Sequence, residues 1–195
     1  MRGMPLDEQR ELGDEALLLR FAKGDAQAAQ LLTARLTPVV LAHAYRLLGE
    51  PGEAQDVAQE TMLKLWQVAP QWRAGEAKVT TWLYRVVANA CLDRLRKRRT
   101  VALDAVAEPA DMAPSVADRL QDSARVDALQ GALDGLPERQ RQAVVLRHIE
   151  GLSNPQIAQI MDLTVDAVES LTARGKRGLK AALGARKEEL GYQDD

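Results

Sequence analysis

Thr80-Thr81-Trp82-Leu83-Tyr84-Arg85-Val86-Val87-Ala88-Asn89-Ala90-Cys91-Leu92-Asp93-Arg94-Leu95-Arg96-Lys97-Arg98-Arg99 is the stretch on which the reading of this chain turns. With successive residues placed about 100° apart, as an α-helix requires, it separates into two faces. Leu83, Val87, Ala90, Cys91 and Leu95 fall on one side; Trp82, Arg85, Asn89, Asp93 and Arg96 fall on the other. The first side is an ordinary core stripe. The second carries a cation, an amide and an aromatic ring in register, and the helix closes on five basic residues, Arg94, Arg96, Lys97, Arg98 and Arg99. Cations suit phosphates, an amide suits base edges and a ring suits stacking, so this face fits a nucleic acid. A solvated face whose basic end complements the helix dipole accounts for the same residues.

Upstream, the spacing predicts three more helices. Asp14 is a good N-cap for a helix running to about Ala34, and Pro38 can open a second through Leu48, ended by Gly49 and Pro51. The third, about Gly52 to Ala69, has a buried stripe of Ala54, Val57, Ala58, Thr61, Met62, Leu65 and Val68. Its opposite face holds Asp56, Gln59, Glu60, Leu63, Trp66 and Gln67. Leu63 and Trp66 rimmed by acids and amides suit a protein interface with apolar anchors, or a face covered by another helix of the same domain. Pro70 stops this helix, and a loop bearing Trp72, Arg73 and Lys78 leads into the opening stretch. No segment up to Arg99 alternates with the period of a strand.

Downstream, residues 100–122 hold Pro109 and Pro114 with Asp104, Glu108, Asp111, Asp118 and Asp122 against Arg119 alone, the composition of an acidic flexible linker. From Ser123 the pattern is helical again. Ser123 to Asp134 forms one helix, Pro137 opens the next through Val144, Val145, Leu146 and Ile149, and Gly151 closes it. Ser153-Asn154-Pro155-Gln156 reads as a capping box before a short helix with Ile157, Ala158, Ile160 and Met161. Asp162-Leu163 form a tight turn and Thr164 caps the last helix, which completes a helix-turn-helix. On that last helix Val168, Leu171, Gly175, Leu179 and Ala182 share the inner face. Asp166, Glu169, Ser170, Ala173, Arg174, Arg177 and Lys180 lie on or beside the outer one. Its first turns are where such a unit reaches base edges. Ser170 can bond either kind of edge, Glu169 can accept from a cytosine amino group and Arg174 can be bidentate to guanine. Lys176, Arg177 and Lys180 are better placed for phosphates.

Composition narrows the class. In 195 residues, 46% hydrophobic content supports a folded core, and the formal net charge is −2. That near-zero average conceals basic blocks at 94–99 and 136–187, separated by the acidic stretch. A single cysteine, Cys91, excludes an internal disulfide, and its place on the apolar side predicts packing. His43 and His148 have no metal spacing, and no metal or cofactor is expected. No apolar run is long enough to span a bilayer and no signal-peptide pattern opens the chain, so a cytoplasmic protein without membrane insertion is expected. No nucleophile–base pair or phosphate-cradling glycine loop points to an enzyme.

These marks together resemble a known family. Asp56-Val57-Ala58-Gln59-Glu60-Thr61-Met62-Leu63-Lys64-Leu65-Trp66 resembles the core-binding helix of bacterial RNA polymerase sigma factors. Thr81 to Asn89 with Asp93 to Arg99 resembles their promoter-melting helix. Leu136-Pro137-Glu138-Arg139-Gln140-Arg141, through Glu150-Gly151-Leu152-Ser153 and on to Arg174, resembles their region 4. Two modules and a linker resemble the extracytoplasmic-function (ECF) type of the sigma-70 family, reduced to regions 2 and 4. The resemblance implies an all-α chain of two small helical domains. It divides into a leader (1–13), region 2 (14–99), the linker (100–122), a helix-turn-helix region 4 (123–187) and a tail (188–195).

The resemblance also implies roles. Asp56, Gln59, Glu60, Leu63 and Trp66 would dock on the clamp helices of the polymerase β′ subunit, and region 4 would lie on the β flap. Trp72, Arg73, Lys78, Trp82, Arg85, Asn89, Arg94, Arg96, Lys97, Arg98 and Arg99 would open and hold the −10 element. Asp166, Glu169, Ser170, Ala173, Arg174, Lys176, Arg177 and Lys180 would read the −35 element. The linker would thread toward the active-site cleft, and an anti-sigma factor would hold the protein inactive. Glu169 and Leu171 stand where many relatives have basic residues, and Asn154-Pro155 replaces the residues usual there. Two other readings remain at this point: a helix-turn-helix activator with an N-terminal helical sensor domain, and a helical adaptor with no DNA role.

Overall fold

The computed structural model describes residues 11–75, 78–104 and 120–184. Among the described residues every regular element is helical. They are α1 (Asp14–Phe21), α2 (Ala26–Leu48), α3 (Pro51–Val68), a 3-10 turn (Ala69–Gln71), α4 (Val79–Asp104), α5 (Leu120–Asp134), α6 (Glu138–Val144), a π-helical turn (Val145–Ile149), α7 (Asn154–Met161) and α8 (Val165–Gly184). The chain forms two compact units, one of Met1–Tyr45 with Glu50–Ala90, the other of Arg46–Gly49 with Cys91–Asp195. No helix among the described residues is long and apolar enough to cross a membrane.

In the first unit the helical period places the core as expected, with local exceptions at the ends. Leu17, Leu18, Leu32, Val57, Leu65 and Val87 are fully enclosed, each such side chain contributing about 1.5–3 kcal/mol. The expected helix from Asp14 to Ala34 is instead two helices. Gly13 is the N-cap, Asp14 already lies in the first turn, and the chain breaks at Ala22–Asp25. Gly24 takes φ +91°, and the Asp25 carboxylate accepts from Gln27 N–H (3.0 Å) and Ala28 N–H (3.3 Å), so Gly and Asp act as stop and restart. Arg20 Nε donates to the same carboxylate at 2.9 Å and is the chief cause lowering its pKa.

Pro38 does not open a helix; it lies inside α2. Proline frees the carbonyl four residues before it. Ala34 and Pro38 are both exposed, so water can meet that carbonyl and the helix continues. Pro51 is the first residue of α3, and Glu50 caps it by accepting from Gly52 N–H at 2.8 Å and from Glu53 N–H.

Two boundaries near the linker move. α4 continues to Asp104 and α5 begins at Leu120, so the helices enter the stretch read as linker from both sides. The remaining acidic residues, Glu108, Asp111 and Asp118, lie outside the described residues, as do 1–10 of the leader and the tail.

In the second unit α8 packs on α5, α6 and α7. Two glycines allow the approach to α6 and to the turn before it. A Cβ on Gly175 would stand 2.4 Å from Val144 Cγ2 and 3.0 Å from the Gln140 carbonyl oxygen, and one on Gly178 would stand 2.6 Å from Leu136 Cδ2. Val168 and Gly175 are buried and Leu171 and Leu179 half-buried. Ala182, expected on the inner face, is exposed: its helical phase is right, but nothing among the described residues covers that end of α8. The segment expected as one helix from Pro137 becomes α6 followed by a π-helical turn. Leu152 N–H to Leu146 O (3.0 Å) and Arg147 Nη1 to Leu152 O (2.8 Å) bind its end. Arg141 is buried and donates to Asp134 Oδ1 (3.1 Å), Asp134 O (2.7 Å) and Leu47 O (2.7 Å).

Candidate functional site

On α3 the outer face is presented as the spacing demands. Asp56, Gln59, Glu60 and Leu63 are exposed, and Leu63 keeps 53% of its surface in solvent. Trp66 differs. It is half-buried, with its ring 4.7 Å from that of Phe21 on α1 and tilted by 59°. Part of its surface is therefore structural, a contact no helical projection of α3 could reveal. Trp66 stands between two open apolar grooves. One, of about 550 Å³, is lined by Phe21, Ala29, Gln30, Thr33, Ala34 and Trp66. The other, of about 300 Å³, is lined by Thr37, Leu41, Gln55, Ala58, Gln59, Met62, Leu63 and Trp66. An exposed leucine beside apolar grooves rimmed by acid and amide is the composition of an interface core with a polar rim.

On α4 Leu83, Val87 and Cys91 are buried as expected, joined by Tyr84 and Ala88, while Ala90 and Leu95 are half-buried. Tyr84 meets His43 edge-on at 4.8 Å, which makes that histidine a core residue. Arg85 and Asn89 are exposed on the opposite face, and Arg73 and Lys78 are exposed in the preceding loop. Trp72 and Trp82 are both half-buried and meet edge-on, 6.1 Å apart and 84° between planes. Each covers part of the other, and the buried Trp72 Nε1 has no hydrogen-bond partner. Gly75 N–H donates to Glu15 Oε1 at 2.7 Å and ties this loop to α1.

The basic end of α4 is less uniform than its sequence. Arg98 Nη1 donates to Leu48 O at 3.2 Å, and Arg99 pairs with Glu138. Arg94 is half-buried and also engaged. Arg96 and Lys97 are exposed, Arg96 in a loose 3.9 Å pair with Asp93.

α8 is set by the turn that precedes it. Asp162 adopts φ 53°, ψ 55° after α7, a left-handed conformation that aspartate tolerates. Thr164 Oγ1 then accepts from Ala167 N–H at 3.2 Å. At the start of α7, Gln156 Oε1 accepts from Ser153 N–H (2.9 Å) and from its hydroxyl (2.8 Å). With Val168 and Gly175 buried, Asp166, Glu169, Ala173, Arg174, Lys176, Arg177 and Lys180 are all exposed, and Ser170 is half-buried. None of Arg174, Lys176, Arg177 or Lys180 is held by a partner among the described residues. Desolvation, then the positive charges of Lys176 and Arg147, lower the pKa of His148, so the imidazole stays neutral beside a cationic patch. Glu169 is the exception on this face: Asn154 Nδ2 of α7 donates to its Oε1 at 3.1 Å, a contact that helical phase alone does not predict. No group of three or more His, Cys, Asp and Glu able to hold a metal occurs among the described residues.

Two family models match. Sigma-70 region 2 matches residues 32–101, which hold α3 and most of α4, and sigma-70 region 4 matches residues 127–179, which hold α6, α7 and most of α8. The RNA polymerase sigma-H factor of Pseudomonas aeruginosa is 32% identical over 182 residues, covering 87% of this chain and 93% of that protein. The chain belongs to the sigma-70 family of RNA polymerase sigma factors, in its ECF branch.

Other ECF sigma factors agree with this placement. SigE of Mycolicibacterium smegmatis is 33% identical over 150 residues, covering 75% of this chain; those residues span 58% of that longer protein. Among solved structures, CnrH in complex with the cytosolic domain of CnrY superposes with a TM-score of 0.64 at 29% identity, covering 88% of this chain and 97% of that one. The helical architecture of the chain is thus shared with a protein seen bound to a second protein.

Proposed function

We propose that this ECF sigma factor binds the core of RNA polymerase through the outer face of α3, directs it to promoters through α8, and opens the −10 region with α4 and the loop before it. The observation that carries this reading is α8 itself. Its inner face is locked against α5, α6 and α7, while Ser170, Ala173, Arg174 and Arg177 stand outward with no cation committed to another residue among those described. A helix so fixed can enter a major groove as a rigid body.

On α3, Leu63 supplies an anchor and Asp56, Gln59 and Glu60 the polar rim for the clamp helices of the β′ subunit, with region 4 on the β flap. On α4, Arg85 and Asn89 face outward beside the Trp72–Trp82 pair, a setting suited to a base displaced from the duplex. Unstacking a base costs a few kcal/mol, which stacking and the phosphate contacts of Arg96 and Lys97 offset. The chain performs no bond chemistry in this reading; it acts in the cytoplasm on DNA and polymerase. CnrH is seen with the cytosolic domain of CnrY, which supports a protein partner for this chain too; in our reading that partner is an anti-sigma factor, with the grooves flanking Trp66 as the apolar surface it would cover.

The test is transcription by sigma-free core polymerase on genomic DNA with and without the protein, read by sequencing the 5′ ends. Defined start sites that share upstream elements and appear only with the protein are expected. Failure of competent core to initiate at any promoter would overturn the reading. Duplex binding without polymerase that is indifferent to Leu63 would favour a free-standing activator.

A further inference from the structure

We infer that Asn154 is a positioning residue for −35 specificity: it holds Glu169 so that the carboxylate accepts from the exocyclic amino group of a cytosine or adenine at one position of the element. The inference rests on the proposed role of α8 as the −35 reader.

Glu169 occupies the second turn of α8, exposed on the face that carries Ser170, Ala173 and Arg174. A glutamate there is unexpected, because a carboxylate facing the duplex is repelled by phosphates. Free to rotate about three bonds, it would turn away. It is not free. Asn154, the first residue of α7, donates through Nδ2 to Glu169 Oε1 at 3.1 Å. A carboxylate only accepts, so the amide must present its NH2 group, and Oδ1 is the atom turned inward. That Oδ1 is buried and has no hydrogen-bond partner. The amide thus leaves an acceptor unsatisfied while its donor holds Glu169.

The consequence is chemical selection. With Oε1 held by Asn154, Oε2 has no partner among the described residues. In the major groove cytosine N4 and adenine N6 offer N–H donors; guanine O6 and N7 and thymine O4 offer only acceptors. A fixed carboxylate is compatible with the first pair and repels the second. Asn154 sits in a different helix from the reader it controls, so its effect on base preference runs through Glu169. The alternative is that Glu169 only complements the N-terminal dipole of α8, with Asn154 tying two helices together. That role affects stability and leaves base preference alone.

The experiment measures binding of the holoenzyme to promoter variants carrying all four bases at each −35 position, for wild type, Glu169→Ala, Asn154→Ala and the double variant, at two salt concentrations. Wild type is expected to favour cytosine or adenine on the contacted strand at one position by about five- to tenfold, the lower part of the range for a good base contact. Glu169→Ala should abolish that preference. Asn154→Ala should reduce it to about twofold without changing the salt dependence, and the double variant should match Glu169→Ala, as residues acting in series do. Asn154→Asp, which sets a second carboxylate against Glu169, should also lose the preference. Thermal unfolding of each variant separates a folding defect from a change in reading. A preference that survives Asn154→Ala in a folded protein, or losses equal at all four bases, would overturn the inference. So would Glu169→Ala leaving every base preference intact. A wild-type holoenzyme with no sequence preference at any position would instead overturn the reading of α8 as the −35 helix.

Discussion

α4 and α8 both bury one face and carry cations on the other, yet their outer faces are in different states. On α8 the cations Arg174, Lys176, Arg177 and Lys180 are exposed and have no partner among the described residues. On α4 Arg98 and Arg99 are engaged within the chain, Arg96 leans on Asp93, and Trp72 and Trp82 cover each other. A reader of intact duplex needs a fixed surface that fits a fixed groove, and α8 has one. A helix that holds displaced bases needs rings and cations that exchange internal contacts for nucleic-acid ones, and α4 with the loop before it holds Trp72, Trp82, Arg98 and Arg99 in such contacts while Arg85 and Asn89 stay exposed. Under the proposed roles, the difference would separate recognition, which is preformed, from opening, which requires rearrangement.

The comparison can be broken most strongly at Gly175. Gly175→Val would drive side-chain atoms into Val144 and the Gln140 carbonyl, and overpacking of this kind costs about 1–3 kcal/mol or more. Urea unfolding should show the loss and −35 binding should fall with it, while core binding by α3 persists; a fully stable variant would refute the close approach of α6 and α8. Arg174→Ala should weaken binding to a −35 duplex by about 1–3 kcal/mol and relax its preference at one position; an unchanged sequence profile would make Arg174 a phosphate contact.

Leu63→Ala tests the third surface. With more than half of the side chain already in solvent, the fold should hold, while affinity for core polymerase drops by about 2 kcal/mol, the threshold of an interface hot spot. A loss confined to stability would remove Leu63 from that interface. The smallest effect is expected at Lys180→Ala: a uniform weakening across sequences and a salt slope lower by about one.

The helical period made much of this legible. It assigned the buried stripe of α3, the two sides of α4 and the outward side of α8, because a 3.6-residue repeat alone decides which side chains share a face. The motifs of regions 2 and 4 then named the family. What escaped lies between elements. Phe21 against Trp66 and Asn154 against Glu169 join residues from different helices, which no single-helix projection relates. Gly175 and Gly178 carry no side chain to signal how near α6 and the turn before it come. Pro38 misled because a proline's usual boundary role gave way where the freed carbonyl faces water. Lys23-Gly24-Asp25 carries a stop and restart signal, yet the apolar residues on either side keep nearly the same phase, so periodicity alone runs one helix through it.

The division of labour between the two helices is tested most directly on one cognate promoter with the holoenzyme. Duplex binding and the reactivity of unpaired −10 thymines toward permanganate are measured side by side for Asn89→Ala and Arg174→Ala. The account predicts opposite patterns: Asn89→Ala retains −35 binding but opens poorly, whereas Arg174→Ala binds weakly and, once bound at saturating concentration, opens normally. Parallel losses of binding and opening in both variants would contradict it.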